Sequence, residues 1–193
     1  MFEKLGYEVV RNVITEQTLE LLKRQFELAE TYAKHMFPEQ KMFGDSLVRD
    51  DAFSTYGHHA SESLLEMLLP KVQDISNKKI LPTYSFYRNY YKNSVLKKHT
   101  DRPECEISVT LCIASEGDDW PIWLEDLNGK ETSVDLNPGD MCVYKGMDCP
   151  HWREPYTGRK QIQTFLHYVD AKGKYSSRIF DGRDLLGLQD PTL

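Results

Sequence analysis

The sequence predicts a mainly β protein of the α+β type, with helices confined to its N-terminal part. Two observations carry this. Up to about residue 80, apolar residues recur with a helical period; beyond it they alternate with a period of two. The β-like segments are short and closely spaced, and turn signals rather than helices separate them. That pattern suits a sandwich, jelly roll or barrel and argues against βαβ units.

The elements follow in order. Residues 6–14, GYEVVRNVI, read as a short strand rich in β-branched residues. Thr15 is placed to cap a helix whose stripe is Leu19, Leu22, Phe26, Ala29 and Ala33. Residues 37–59 contain Pro38, Gly44 and Gly57 and read as a long irregular stretch. A second helix is expected over 61–76, with Leu64, Leu65, Leu68, Leu69, Val72 and Ile75 on one face. Ser63 and Glu66 offer it a capping box, and Pro70 is expected to kink or split it. Strands are expected at 83–91, 105–114, 121–126, 131–136, 140–146 and 161–169. Asn128-Gly129 is a hairpin-turn signal and Pro138-Gly139 marks another turn. The tail after 170 is expected to lie over the surface. The whole chain, 1–193, reads as one domain: a strand and supporting helices (1–79), a β-core (80–170) and a C-terminal tail (171–193).

Composition narrows the function. Lys and Arg number 24 against 30 Asp and Glu, a net charge of −6, which argues against a general nucleic-acid binder. There is no apolar run long enough to span a membrane, and the first residues lack a signal-peptide pattern, so a cytoplasmic protein is expected. Cys105, Cys112, Cys142 and Cys149 form no C-x-x-C and are expected to be reduced, packed as small apolar groups.

Six histidines supply the chemistry. His99 and Asp101 form H-x-D, and in an extended segment both side chains point the same way. His151 lies 50 residues beyond Asp101. Two imidazoles and one carboxylate make the facial triad of non-haem Fe(II) oxygenases, leaving open positions on the metal. The spacing alone fits a surface His–Asp pair equally well. Placement at strand ends favours the metal site, as does the basic pair Arg159-Lys160, which opens the last long strand and could hold a carboxylate. So do the polar and aromatic residues Arg88, Tyr90, Ser108, Thr110, Gln163 and Phe165 on strand-like segments, because inward polar groups need partners.

The stretches YRNYYKNSVLKKHTDRPECEISVTLCI and GDMCVYKGMDCPHWREPYTGRKQIQTFLHYV resemble the Fe(II)/2-oxoglutarate-dependent dioxygenases. The resemblance covers residues 80–170 and is nearest to the prolyl-4-hydroxylase-like branch and small bacterial and phage members. It implies a double-stranded β-helix, the cupin-like jelly roll, braced by N-terminal helices. It implies His99, Asp101 and His151 as iron ligands, and Fe(II), 2-oxoglutarate and O₂ as cofactors, with ascorbate as an optional reductant. Oxidation of substrate would be coupled to decarboxylation of 2-oxoglutarate to succinate and CO₂. The distal carboxylate would be held by Arg159 or Lys160; the pattern R-x-x-I-[TQ]-x-[FW] favours Arg159. Tyr90, Ser108, Thr110 and Gln163 are the further co-substrate candidates. The tyrosine that some prolyl hydroxylases carry on the strand after H-x-D is replaced by Cys112.

Arg88, Arg153, Tyr144 and Trp123 are candidates for substrate contact, and Trp120 and Trp152 for the opening. His58-His59 reads as a solvated pair and His167 as a core or rim histidine. The expected substrate is a small molecule, an amino acid or a peptidyl residue, the expected reaction hydroxylation. A cupin-type metal enzyme and a non-catalytic binding protein on the same barrel are the alternatives. Retention of Asp101 argues against a halogenase. Substrate identity and oligomeric state are not legible.

Overall fold

The computed structural model describes residues 1–38, 48 and 52–188. A one-turn helix, α1 (Phe2–Leu5), ends at Gly6 and leads into strand β1 (Tyr7–Val10). Helix α2 (Glu16–Met36) starts where the Thr15 hydroxyl accepts the Thr18 amide. Its expected stripe is the buried one: Leu22, Phe26 and Ala33 are in the core, and Leu19 and Ala29 pack against it.

The stretch read as irregular contains a strand, β2 (Ala52–Tyr56), paired antiparallel with β3 (Ile80–Tyr91). Residues 39–47 and 49–51 of that stretch lie outside the described residues. Helix α3 (His59–Ser76) begins two residues early, and the cap is His58, whose Nδ1 accepts the Ala60 amide. Ser63 bonds the His59 carbonyl instead, so the Ser63–Glu66 box does not form. The helix runs through Pro70 without a break. Leu68 and Val72, on either side of it, are held in the core, and that packing keeps the helix continuous. Of the pair expected to be solvated, His59 is exposed, whereas His58 is half-buried, its ring edge-on against Phe26 and Tyr87.

The remaining strands are β4 (Leu96–His99), β5 (Ile107–Glu116), β6 (Ile122–Glu125), β7 (Glu131–Val134), β8 (Met141–Tyr144), β9 (His151–Arg153) and β10 (Lys160–Asp170). They form a six-stranded sheet, β1-β8-β5-β10-β3-β2, and a four-stranded sheet, β4-β9-β6-β7. Every pairing is antiparallel. Asn128-Gly129 turns β6 into β7, with the Gly129 amide on the Asp126 carbonyl at 2.9 Å. The Asp140 amide closes the Pro138-Gly139 turn on Asn137 at 2.9 Å.

Alternation along the central strands decides what each face meets. On β5 and β10, Ile107, Val109, Leu111, Ile162, Leu166 and Tyr168 pack with Leu22, Phe26, Leu64, Leu65 and Val72 of the helices. The opposite face of the large sheet meets the small one: Cys112, Cys142 and Tyr144 pack with Ile122, Leu124 and Val134. This second face also carries polar side chains, namely Ser108, Thr110, Gln163 and His167, all buried. The four cysteines are free and buried.

The tail does lie across the body, yet it is pinned there. Arg183 pairs with Glu62 at 2.7 Å, both nearly fully buried. Asp181 accepts hydrogen bonds from Tyr56 (2.6 Å) and Arg102 (2.7 Å). No helix among the described residues is long and apolar enough to cross a membrane.

Candidate metal centre

His99 ends β4 and His151 opens β9, and the two are direct cross-strand partners. Antiparallel pairing therefore sets the rings side by side, with centroids 4.3 Å apart. Each ring's Nδ1 faces the carbonyl two residues earlier in the chain, Lys97 at 2.7 Å and Cys149 at 3.0 Å. A carbonyl only accepts, so both Nδ1 atoms carry the proton and both Nε2 lone pairs are bare. Those Nε2 atoms lie 3.7 and 3.5 Å from Asp101 Oδ1. One metal-sized site is thus faced by two nitrogens and an oxygen, within 4.8 Å of one another.

Asp101 is held at its backbone and at its carboxylate. Its amide bonds the Gly146 carbonyl at 2.9 Å, and its Oδ2 accepts the Ser108 hydroxyl at 2.7 Å. His167 Nδ1 lies 3.0 Å from the same hydroxyl oxygen. Ser108 has one proton, so His167 donates to it and leaves that proton for the carboxylate. Gly146 is a residue the sequence reading missed: a Cβ there would collide with Asp101 Oδ2, the Cys105 carbonyl and Ser108 Oγ. Asp101, Cys105 and His167 also lie close enough to share an ion, but Ser108 Oγ engages both Asp101 Oδ2 and His167 Nδ1, and Cys105 Sγ lies 3.1 Å from the Tyr84 hydroxyl.

Burial sets the protonation states. It pushes the Asp101 carboxyl up to about 6, against the pull of Ser108 and His99. It holds His151 down at about 4 and lowers His99, which the neighbouring His151 depresses further. At neutral pH the site is therefore a carboxylate with two neutral imidazoles, the state that ligates a divalent ion. Since binding displaces the Asp101 proton, Mn(II) affinity is expected to hold from pH 8 to about 6. Below that it falls by up to about tenfold per pH unit, as a calorimetric titration series would record.

A cavity of about 510 Å³ opens over the triad. Tyr84, Phe86, Arg88 and Tyr90 of β3, Phe165 of β10, Tyr144 of β8 and Asp181 of the tail line it. Alternation along β3 from Tyr84 to Tyr90 signals that wall; nothing in the tail's composition signals Asp181. Arg88 lies over the Phe86 ring, and Tyr144 packs edge-on against His151.

The other candidates do not line this cavity. Thr110 donates to Gln163 Oε1 at 3.1 Å inside the sheet. Trp123 stacks on Trp152, outside the cavity lining. Arg159 precedes β10; its side chain is 79% exposed and pairs with Glu116 at 2.5 Å. Lys160 turns to the helices and pairs with Glu27 of α2 at 2.9 Å. Glu116 is eight residues along β5 from Ser108, roughly 26 Å at 3.3 Å per residue. Both basic residues thus sit at the far end of the sheet from Asp101. Arg153, read as a residue at the mouth, is instead 1% exposed. In the same interior, Tyr90 Oη, Gln163 Nε2 and Arg153 Nε and Nη2 have no hydrogen-bond partner.

No family model matches the sequence, and no curated protein is significantly similar to it. Solved structures are. A prolyl-4-hydroxylase from Pseudomonas putida superposes with a TM-score of 0.64 at 13% identity, covering 88% of this chain and 95% of that one. HygX from Streptomyces hygroscopicus, with nickel and 2-oxoglutarate bound, gives 0.65 at 12% identity, over 89% and 85%. A prolyl hydroxylase from Trichoplax adhaerens, in complex with a hypoxia inducible factor peptide fragment, gives 0.65 at 13%, over 89% and 86%. The chain shares their fold. At this level of identity the activity has to be argued from the side chains.

Proposed function

We propose that the protein is an Fe(II)- and 2-oxoglutarate-dependent oxygenase of the prolyl-4-hydroxylase-like branch, a single-domain double-stranded β-helix that hydroxylates an amino acid, a peptidyl residue or another small molecule. The observation that carries this is the convergence of His99 Nε2, His151 Nε2 and Asp101 Oδ1, with both Nδ1 atoms committed to backbone carbonyls. That donor set suits Fe(II): two neutral imidazoles and one carboxylate, with the cavity side left free. The unpaired donors inside the barrel suit an acceptor-rich guest such as 2-oxoglutarate.

His99, Asp101 and His151 would hold the iron; with 2-oxoglutarate and O₂ it supplies an oxidation coupled to release of succinate and CO₂. The protein's own part is placement. Ser108 keeps Asp101 Oδ2 engaged, so that Oδ1 is turned to the two Nε2 atoms and would face the metal. Tyr84, Phe86, Tyr90, Tyr144 and Phe165 give the cavity apolar walls that limit water around the reacting bond. Its volume suits a small molecule or one side chain of a peptide. Arg88 stands on the substrate side, where it can meet an anionic group.

The test is anaerobic addition of Fe(II) and 2-oxoglutarate. A visible charge-transfer band, followed by succinate on admitting O₂, is the expected outcome. Metal binding with neither band nor succinate would leave a cupin-type or binding role on the same barrel.

A further inference from the structure

The least expected side chain in the barrel is Arg153. It is 1% exposed, and Nη1 donates to the Trp120 carbonyl while the guanidinium lies over the Trp120 ring. Nε and Nη2 have no partner. No carboxylate among the described residues forms an ion pair with it. A buried cation with two open donors is costly unless an anion completes it. Nε and Nη2 form one edge of the planar guanidinium, the edge that grips a carboxylate with two parallel hydrogen bonds.

Position adds to this. Arg153 is two residues beyond His151 on β9, so both side chains leave the same face, about 6.6 Å apart along the strand. A five-carbon acid spans roughly 6 Å end to end. Tyr90, which lines the cavity over the triad, and Gln163 each present an unpaired donor in the same interior. Arg159 and Lys160 already have Glu116 and Glu27, at the other end of the sheet.

We propose that Arg153 anchors the distal carboxylate of the 2-oxo dicarboxylic acid, with Tyr90 and Gln163 adding hydrogen bonds, and that the basic pair opening β10 takes no part. This rests on the oxygenase reading above and moves the cation from β10 to β9. Its corollary concerns the ligand-free protein, where Arg153 is an uncompensated charge. Arg153→Met should then cost nothing in ligand-free stability, and raise the melting temperature by a few degrees.

The experiment is anaerobic titration of 2-oxoglutarate into the Mn(II)-loaded protein, read by calorimetry and by tryptophan fluorescence, since Trp120 touches the guanidinium. Arg153→Met should weaken binding on the order of 100-fold or more, Arg153→Lys by less, and Arg159→Ala and Lys160→Ala by under about twofold. On the wild type, 2-oxopentanoate, which lacks the distal carboxylate, should bind about as weakly as 2-oxoglutarate binds Arg153→Met; this arm needs no variant to fold. Wild-type affinity in Arg153→Met or Arg153→Lys, or a large loss in Arg159→Ala or Lys160→Ala, overturns the assignment and leaves the oxygenase reading intact. A Mn(II)-loaded wild type that binds no 2-oxoglutarate at all overturns both.

Discussion

Asp101→Ala is expected to lower Fe(II) affinity at least about 100-fold and to abolish succinate formation, while the β-sheet spectrum stays unchanged. Two neutral imidazoles remain, and they hold Fe(II) poorly without an anionic oxygen. The metal-free variant has a second, opposite signature. Burial raises the Asp101 carboxyl from 3.8 to about 6. A raised carboxyl favours folding below the unfolded value and loses that contribution as pH rises through the folded one. Above pH 6 the folded protein therefore carries a buried carboxylate at a cost of about 1–3 kcal/mol. Asp101→Asn removes the charge and keeps the shape, so the metal-free variant should melt higher than wild type at pH 7.5 and equally at pH 4. Metal titrations and melts at the two pH values check both arms. An Asp101→Ala protein that binds Fe(II) like wild type would mean that the triad is not the metal site.

How much of this could be read from sequence depends on what each residue answers to. β3, β5 and β10 were legible because each faces apolar helices on one side and the space between the two sheets on the other, so period-two alternation is written into them. β4 and β9 were not, being four and three residues long with charged residues among them; their pairing comes from the sheet, not from propensity. The H-x-D and the later histidine were legible as ligand types, and the cross-strand pairing that brings His99 beside His151 was not. The basic pair shows the limit most clearly. Parity puts Arg159 on the same face as Gln163, but β10 starts at Lys160, so parity no longer governs Arg159 and it folds onto Glu116. Burial of Arg153 runs against every compositional expectation for an arginine. It becomes intelligible only once the partners that its guanidinium lacks can be inspected.

Gly146 carries the other large effect, and space rather than backbone conformation is the reason. Its φ is not in the left-handed region, so alanine is allowed there on backbone grounds. What alanine meets is the underside of the His99–Asp101–His151 triad: Asp101 Oδ2, the Cys105 carbonyl and Ser108 Oγ all occupy the volume of its Cβ. None of the three can yield cheaply. Ser108 is tied to His167, the Cys105 carbonyl is backbone, and Asp101 is hydrogen-bonded to Gly146 itself. Gly146→Ala is expected to push Asp101 off its position and break the Ser108 bond, lowering Mn(II) affinity about 10–100-fold. Overpacking should also cost about 1–3 kcal/mol of stability in the metal-free protein. Gly129→Ala separates the two effects. At φ 78° it is strained in the hairpin turn, yet nothing lies within 4 Å of its Cβ. It should lose stability on the order of 1 kcal/mol and bind Mn(II) like wild type. If Gly146→Ala also kept wild-type affinity, the metal would not depend on where the Gly146 turn holds Asp101, and the coordination geometry proposed for the triad would have to be abandoned.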